Sequence, residues 1–467
     1  MTDFSQLIRP DRGEQAHAIA LVDPAHRDEW LAAQPNHVRD IAEMHRFAAK
    51  DGTHLLVPGP GSDPWRVVAA VADRHSPWAL APLAASLPPG TYRIAGDHLP
   101  ALGWLLAQYR FERYRKADDG DARVLLTADP AAIDGVVAEA RAVALVRDLV
   151  NTAAADLGPA ELEAVTEALA QEFGASTAVT RGDTLAADYP MIHAVGQAAT
   201  RERAPRLIEL EWGDPSHPRV AVVGKGVCFD TGGLDIKPSA AMRLMKKDMG
   251  GAAHALALAR LVMGARLPIR LHLLIPAVEN AVSAASFRPG DVLRTRKGLT
   301  VENTNTDAEG RLILGDALTK AGEGGPDLIL DFATLTGAAR VALGPDLPAT
   351  FTDDEAVAAE LLAAGRAVDD PLWRLPLWDG YREMLKSDVA DLVNAPEGGM
   401  AGAITAALFL RRFVPEGTPW AHLDTFAWRS SAKPGQPKGG DALGLRAVWT
   451  MLRNRYGSTM QALPPPA

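Results

Sequence analysis

The sequence predicts an α/β protein of two domains: a larger C-terminal domain on a central, mostly parallel sheet flanked by helices, and a smaller α/β N-terminal domain. Three observations carry that prediction. At 467 residues the chain is long enough for two domains, each with a core of its own. Its second half alternates strand-like and helix-like segments, the pattern of a parallel sheet covered on both faces. Between the halves runs one long helical pattern. The expected division is residues 1–130, a linking helix over 131–150, and residues 151–467.

In residues 1–130, short apolar runs alternate with turn punctuation such as VPGPGSDPW (Val57–Trp65) and SLPPGTYRIAGD (Ser86–Asp97). No motif there attaches to chemistry. YRFERYRK (Tyr109–Lys116) interleaves aromatic and basic residues, as a nucleic-acid contact would, but Glu112 and the ADDGD that follows blunt its field. An exposed strand gives the same alternation. From Ala131 to Val150, Ile133, Val136, Val137, Ala140 and Ala144 share one helical face. Beyond it, RVAVVG (Arg219–Gly224) reads as a buried strand, Gly250–Met263 as a helix and IRLHLLIP (Ile269–Pro276) as a strand. Ala308–Ala321 then reads as a helix and DLILDFATL (Asp327–Leu335) as a strand. Sites in such sheets lie beyond the carboxyl ends of strands. That rule singles out the loop after Gly224 and the one leading to Asp307.

Composition narrows the function classes. A net charge of −10 and a pI near 5.7 argue against a broad face for nucleic acid or another polyanion. A single cysteine, Cys228, forms no intrachain disulfide, so a reducing, cytoplasmic compartment is expected. The N-terminus has acids and polar residues where a signal peptide needs an apolar block, and no uncharged run has the ~18 residues of a membrane span.

The first singled-out loop reads GKGVCFDTGGLDIKPS (Gly224–Ser239). It matches neither GxxxxGK[ST] nor GxGxxG, which argues against a nucleotide. It does carry Lys225, Asp230 and Lys237 among glycines that allow close backbone approach. MKKDMGGAAH (Met245–His254) adds Asp248 just before a helix, and NTDAEGRL (Asn305–Leu312) adds Asp307, Glu309 and Arg311. Taken alone, Asp307 and Glu309 could simply offset a helix dipole. Four carboxylates in one neighbourhood would drag one another's pKa upward unless cations sit among them. Two divalent ions would balance four acids, and paired metals suit hydrolysis by activating a water and clamping the substrate. With no HExxH and no Cys/His finger spacing, such a site would be oxygen-rich, compatible with Mn²⁺, Mg²⁺ or Zn²⁺. A lysine there could ligate a metal, polarise a carbonyl, or only pair with the acids.

NTDAEGRL resembles the signature octapeptide of the leucine aminopeptidase (cytosol aminopeptidase) family of two-metal exopeptidases. GKGVCFDTGGLDIKPS, MKKDMGGAAH, DFATLTGAARVALG, PLWRLP, SDVADLVN, GAITAALFL and WAHLDTFAW resemble further family blocks in family order, with LVRDLVNT and HAVGQAA upstream. The resemblance runs from about Arg147 to Arg446. It implies a metal-dependent aminopeptidase in which Lys225, Asp230, Asp248, Asp307 and Glu309 ligate two divalent ions, Mn²⁺ or Zn²⁺ foremost. It implies Lys237 as electrophile on the scissile carbonyl and Arg311 as holder of a bicarbonate general base. A metal-bridging water would attack the carbonyl of a peptide with a free N-terminus. Met245, Thr334 and Gly337 would line a pocket preferring leucine-like residues, although Met245 also suits a plain core position. The family assembles as a homohexamer, which the resemblance extends to this chain.

The chain departs from the commoner family pattern at Cys228, read as a buried inert thiol. It departs again at HLDTFAW, in place of an HLDIAG-type run, and at GGDALGLR, and these two changes concern the substrate pocket. His422 and Asp424 read as structural. Three alternatives stay open: another two-metal hydrolase on the same carboxylate cage, a DNA-binding regulator, and an inactive scaffold.

Overall fold

The computed structural model describes residues 2–59, 64–94, 100–115 and 122–457. Parts of VPGPGSDPW, SLPPGTYRIAGD and YRFERYRK, and all of ADDGD and the terminal PPPA, lie outside them. The chain forms two compact units, Met1–Ala144 with Ser430–Lys438 and Leu145–Arg429 with Gly439–Ala467. The division falls inside the long helix Ile133–Asn151, which a 3-10 turn at Pro130–Ala132 precedes. On the face read from the sequence, Val137, Ala140 and Ala144 are buried, while Ile133 and Val136 are half-buried.

The first unit holds a six-stranded sheet of β1 (Ile8–Pro10), β2 (His17–Val22), β3 (His54–Val57), β4 (Arg66–Ala70), β5 (Gly90–Ile94) and β6 (Arg123–Thr127). Its order is β1-β6-β5-β2-β4-β3, parallel except for the β3–β4 pair. Residues 109–112 adopt no regular structure and residues 113–115 form a bend, not the exposed strand that their alternation suggested.

The second unit is built on a nine-stranded mixed sheet. Its strands are β7 (Ser176–Arg181), β8 (Arg206–Trp212), β9 (Arg219–Gly224), β10 (Gly226–Asp230), β11 (Arg270–Asn280), β12 (Leu328–Ala333), β13 (Ala349–Phe351), β14 (Trp373–Arg374) and β15 (Trp420–Asp424). The path is β14-β13-β15-β12-β9-β11-β8-β7, with β10 on β11. At its centre β15, β12, β9 and β11 run parallel. Side chains alternate across a strand. Ala221 and Val223 of β9 pack with Leu312, Ile313 and Ala317 of helix Glu309–Glu323 on one face. On the other face a Cβ at Gly224 would meet Ala252 and Ala255 of helix Gly250–Gly264. Helices therefore cover both faces, as the alternation predicts.

Structure and sequence pattern also part at β10. Residues 226–230 were expected in a loop, yet they pair with β11 in register Gly226↔Ala277 and Val227↔Val278. The strand breaks for one residue at Lys225, whose N–H donates to Phe332 O at 2.9 Å and whose carbonyl accepts from Ala252 N at 2.8 Å. Glycine content hid the strand, because glycine is depleted in strands unless another backbone approaches closely.

A buried ion cluster ties distant segments of this unit. Asp441 accepts from Arg147 Nη2 at 3.0 Å and from Arg429 Nε at 2.8 Å, and all three residues are at most 4 % exposed. The unusual GGDALGLR run thus supplies an anchor for Arg147. Asp441→Ala would take a shared carboxylate from two buried guanidiniums, of which Arg429 keeps Asp346 at 3.0 Å, and is expected to cost about 3–5 kcal/mol, read as a lower urea midpoint.

His254 is fully buried, its Nδ1–H donating to Gly250 O at 2.7 Å and its Nε2 accepting from Leu443 N at 3.0 Å. Burial pulls its pKa down to about 4. The folded state keeps the ring neutral while the unfolded chain takes up a proton near pH 6.5. This contribution is present above that value and is lost as pH falls toward 4. Between pH 7 and pH 5 the loss is expected to be about 2 kcal/mol. His254→Gln should flatten the acid limb of stability against pH; an unchanged limb would refute the assignment.

Candidate functional site

The carboxyl ends of β9, β10 and β12 open onto a cavity of about 250 Å³. Nine of the ten residues singled out from the sequence line it: Lys225, Lys237, Met245, Asp248, Asp307, Glu309, Arg311, Thr334 and Gly337. The tenth, Asp230, ends β10 and meets Lys237 Nζ at 2.8 Å.

Local structure explains each placement. Lys225 occupies the break between β9 and β10, which sends its side chain into the site, where it is 2 % exposed. Asp248 lies in the 3-10 turn Met245–Met249 before helix Gly250–Gly264. Asp307 precedes helix Glu309–Glu323 and Glu309 is its first residue. Neither acid caps that helix: the N-cap position is Ala308, with no side-chain cap bond. The two carboxylates face inward.

Together they form a cage. Oxygens of Asp230, Asp307 and Glu309 lie within 4.8 Å of one another. Lys225 Nζ bridges Asp248 Oδ2 at 2.6 Å and Glu309 Oε1 at 2.9 Å, and also donates to Thr334 O at 3.0 Å. Lys237 Nζ pairs with Asp230 and with Asp307. Two glycines make room: a Cβ at Gly310 would lie 2.5 Å from Lys225 Cε, and Gly232, at φ +87°, sits 3.0 Å from Asp307 Oδ1 by the same construction.

The electrostatics show why cations belong here. Burial, reinforced by the charge of Asp230, pushes the carboxyls of Glu309 and Asp307 up from their ordinary values. Burial opposes the charged form of both lysines, but the surrounding carboxylates outweigh it and hold their pKa values up. Glu309 Oε2 is buried with no hydrogen-bond partner. An acceptor-only group left so inside a cluster of acids fits a cation. The donor set, carboxylate oxygens plus a lysine amine, suits hard or borderline divalent ions.

Arg311 is 8 % exposed and donates from Nη1 to Asn394 O at 2.7 Å. Its Nε is buried without a partner. Burial lowers its pKa to about 10, which leaves it charged at neutral pH. The cavity thus holds one anchored guanidinium with a free donor, the arrangement that binds a carboxylate-like anion.

Supporting residues escaped the sequence reading. Asn280 Nδ2 donates to Asp230 Oδ1 at 2.8 Å and Asn394 ties down Thr304, Asn305 and Arg311, yet an isolated Asn carries no spacing signal. Thr334, read as a pocket residue, also donates from its hydroxyl to Asp248 Oδ1 at 2.8 Å. Asp424 accepts from Leu335 N, Thr336 N and Thr336 Oγ1, which fixes the turn that carries Thr334 and Gly337. His422 pairs with Asp331 at 2.5 Å, with both side chains buried. Cys228 is buried, and burial raises its pKa.

Residues 144–449 match the sequence profile of the cytosol aminopeptidase family, catalytic domain, and residues 18–127 match that of the M17 aminopeptidase N-terminal domain. A probable cytosol aminopeptidase from Syntrophotalea carbinolica is 42 % identical over 368 residues, which cover 75 % of this chain and 73 % of that one. The crystal structure of a cytosol aminopeptidase from Coxiella burnetii is 45 % identical, covers 96 % of this chain and 99 % of its own, and superposes with a TM-score of 0.92. The bottromycin maturation enzyme BotP, solved in complex with Mn, is 32 % identical over 95 % of this chain and 100 % of its own, at a TM-score of 0.85.

Adding Mn²⁺ or Zn²⁺ to metal-stripped protein is expected to raise its melting temperature. Asn280→Ala, which removes one of the bonds that orient the Asp230 carboxylate, should weaken the ion's binding about 10- to 100-fold in a chelator competition. An unaltered affinity would place the ion away from Asp230.

Proposed function

The chain belongs to the cytosol aminopeptidase family of metalloaminopeptidases, and on that premise we propose that it hydrolyses the first peptide bond of peptides with a free N-terminus and accepts a leucine-like first residue. The observation that carries the reading is the meeting, on one cavity, of a carboxylate–lysine cage and a guanidinium with a free donor.

In this reading Lys225, Asp230, Asp248, Asp307 and Glu309 hold two divalent ions, Mn²⁺ or Zn²⁺. When bound, such ions lower the pKa of a water and polarise the scissile carbonyl. Lys237, held by ion pairs to Asp230 and Asp307, is aimed at the same cavity as a donor to the oxyanion. Donors fixed in advance are worth more than water here, because the site is largely buried and does not reorganise. Arg311 would hold bicarbonate, a base that takes up the proton released as the carbonyl is attacked. Met245, Thr334 and Gly337 form the wall that meets the first side chain. Among the described residues no helix is long and apolar enough to cross a membrane. We assign the chemistry to residues 151–467 and a linking role to 131–150, and leave the role of the N-terminal α/β domain, 1–130, unassigned. A homohexamer in the cytoplasm completes the proposal.

The test is release of chromophore from leucine p-nitroanilide by chelator-treated protein, by protein with Mn²⁺ or Zn²⁺ restored, and with an N-acetylated control. Cleavage is expected only with metal and only of the free-amine substrate. Asp307→Asn should abolish it, and Arg311→Ala should lower kcat about 10²- to 10³-fold in bicarbonate buffer. Full activity in either variant would sink the role given to that residue; cleavage of the acetylated substrate would sink the aminopeptidase reading.

A further inference from the structure

Two cations line the cavity without bridging the acids of the cage as Lys225 and Lys237 do. Lys247, in the turn between Met245 and Asp248, has its side chain 8 % exposed and lines the cavity. Its Nζ makes no hydrogen bond among the described residues, and its nearest carboxylate oxygen, Asp248 Oδ1, is 3.9 Å away. That oxygen already accepts from Thr334 Oγ1, and its partner Oδ2 from Lys225. Arg340, one turn beyond Gly337 on helix Gly337–Leu343, lines the same cavity. Phe426 lies between the elements that carry them: Lys247 Nζ is 5.1 Å and Arg340 Cζ 4.7 Å from its ring centroid. The remaining acid nearby, Asp424, is taken up by Leu335 N, Thr336 N and Thr336 Oγ1.

Two like charges converge on one aromatic ring, and the one acid within ion-pair reach of Lys247 among the described residues, Asp248, is shared with Lys225 and Thr334. The ring's quadrupole offsets part of their repulsion and holds both side chains in place. A nearly buried ammonium with unused donors is costly unless something anionic completes it. Met245, Thr334 and Gly337, which meet the first side chain in the proposed reading, line the same cavity.

From this geometry, and resting on the aminopeptidase reading, we infer that the pocket also takes an acidic first residue, whose side-chain carboxylate is bound by Lys247 and Arg340 across the Phe426 ring. The stem of a glutamyl side chain fits where a leucyl side chain would, against Met245. Its carboxylate reaches the two cations. Phe426 lies in HLDTFAW, the run read from the sequence as bearing on the substrate pocket.

The test compares glutamyl and leucyl p-nitroanilides on the metal-loaded protein. The anilide carries no other carboxylate, so the side chain alone is probed. Wild-type kcat/KM for the glutamyl substrate should come within about tenfold of the leucyl value, and Lys247→Met and Arg340→Gln should each lower the glutamyl-to-leucyl ratio about 10- to 100-fold. Stabilisation of the protein by free L-glutamate in a melting experiment should weaken in the same variants. Arg340 is exposed, so its variant decides the matter if Lys247→Met fails to fold. Cleavage of the leucyl substrate alone, or a ratio unmoved in the variants, overturns the inference and leaves the aminopeptidase reading standing. Cleavage of neither overturns both.

Discussion

Three carboxylates with oxygens within 4.8 Å of one another, and a fourth, Asp248, joined to them through Lys225, are the constraint around which the larger unit is arranged. Uncompensated, they would repel one another and shed charge by protonation. The protein answers with Lys225 and Lys237, each paired with two of the four acids. Such pairing seldom adds stability, because desolvating the charges costs as much as their attraction returns. What it secures is a defined arrangement of oxygens, ready for ions of higher charge. Glu309 Oε2, buried and unpartnered, marks where two ammoniums fall short.

That arrangement is possible because the sheet delivers its loops to one end. Parallel β9 and β12 both run toward the cavity, and the break at Lys225 lets β10 continue along β11 until Asp230 points at the same place. Helix Glu309–Glu323 buries Leu312, Ile313 and Ala317 against the sheet, which fixes the rotation of its first turn. Glu309 and Arg311 are then two residues apart on a helix whose outward face is closed off. Packing of ordinary aliphatic side chains thus sets the aim of charged ones. Asn280 and Asn394 do the fine adjustment through single hydrogen bonds.

The pocket beside the cage follows a different logic. Where the cage matches each cation to acids, the wall formed by Lys247, Phe426 and Arg340 leaves positive charge over. An aromatic ring can steady two cations without neutralising them, so the wall keeps its charge for a ligand. Asp424, read from the sequence as structural, holds the turn at Thr334–Gly337 through three hydrogen bonds. Charge type alone does not tell a ligand from a strut.

The α/β class, the helices at Gly250 and Glu309, and the ten residues that gather at the cavity were legible in the sequence, because hydrophobic periodicity is local and the acid-rich blocks are contiguous. The blocks also carried the family resemblance, which supplied roles that spacing could not. Strand β10 was not legible, since its glycines disguise it and its pairing with β11 joins segments some fifty residues apart. Nor was the Asp441 link to Arg147, which spans 294 residues. Whether Asp307 and Glu309 cap a helix or face a cage was likewise undecided by composition, as either use places acids at a first turn. Only the tertiary structure could decide it, because the direction of a side chain is set by what the helix packs against, and that is information no stretch of a single chain contains.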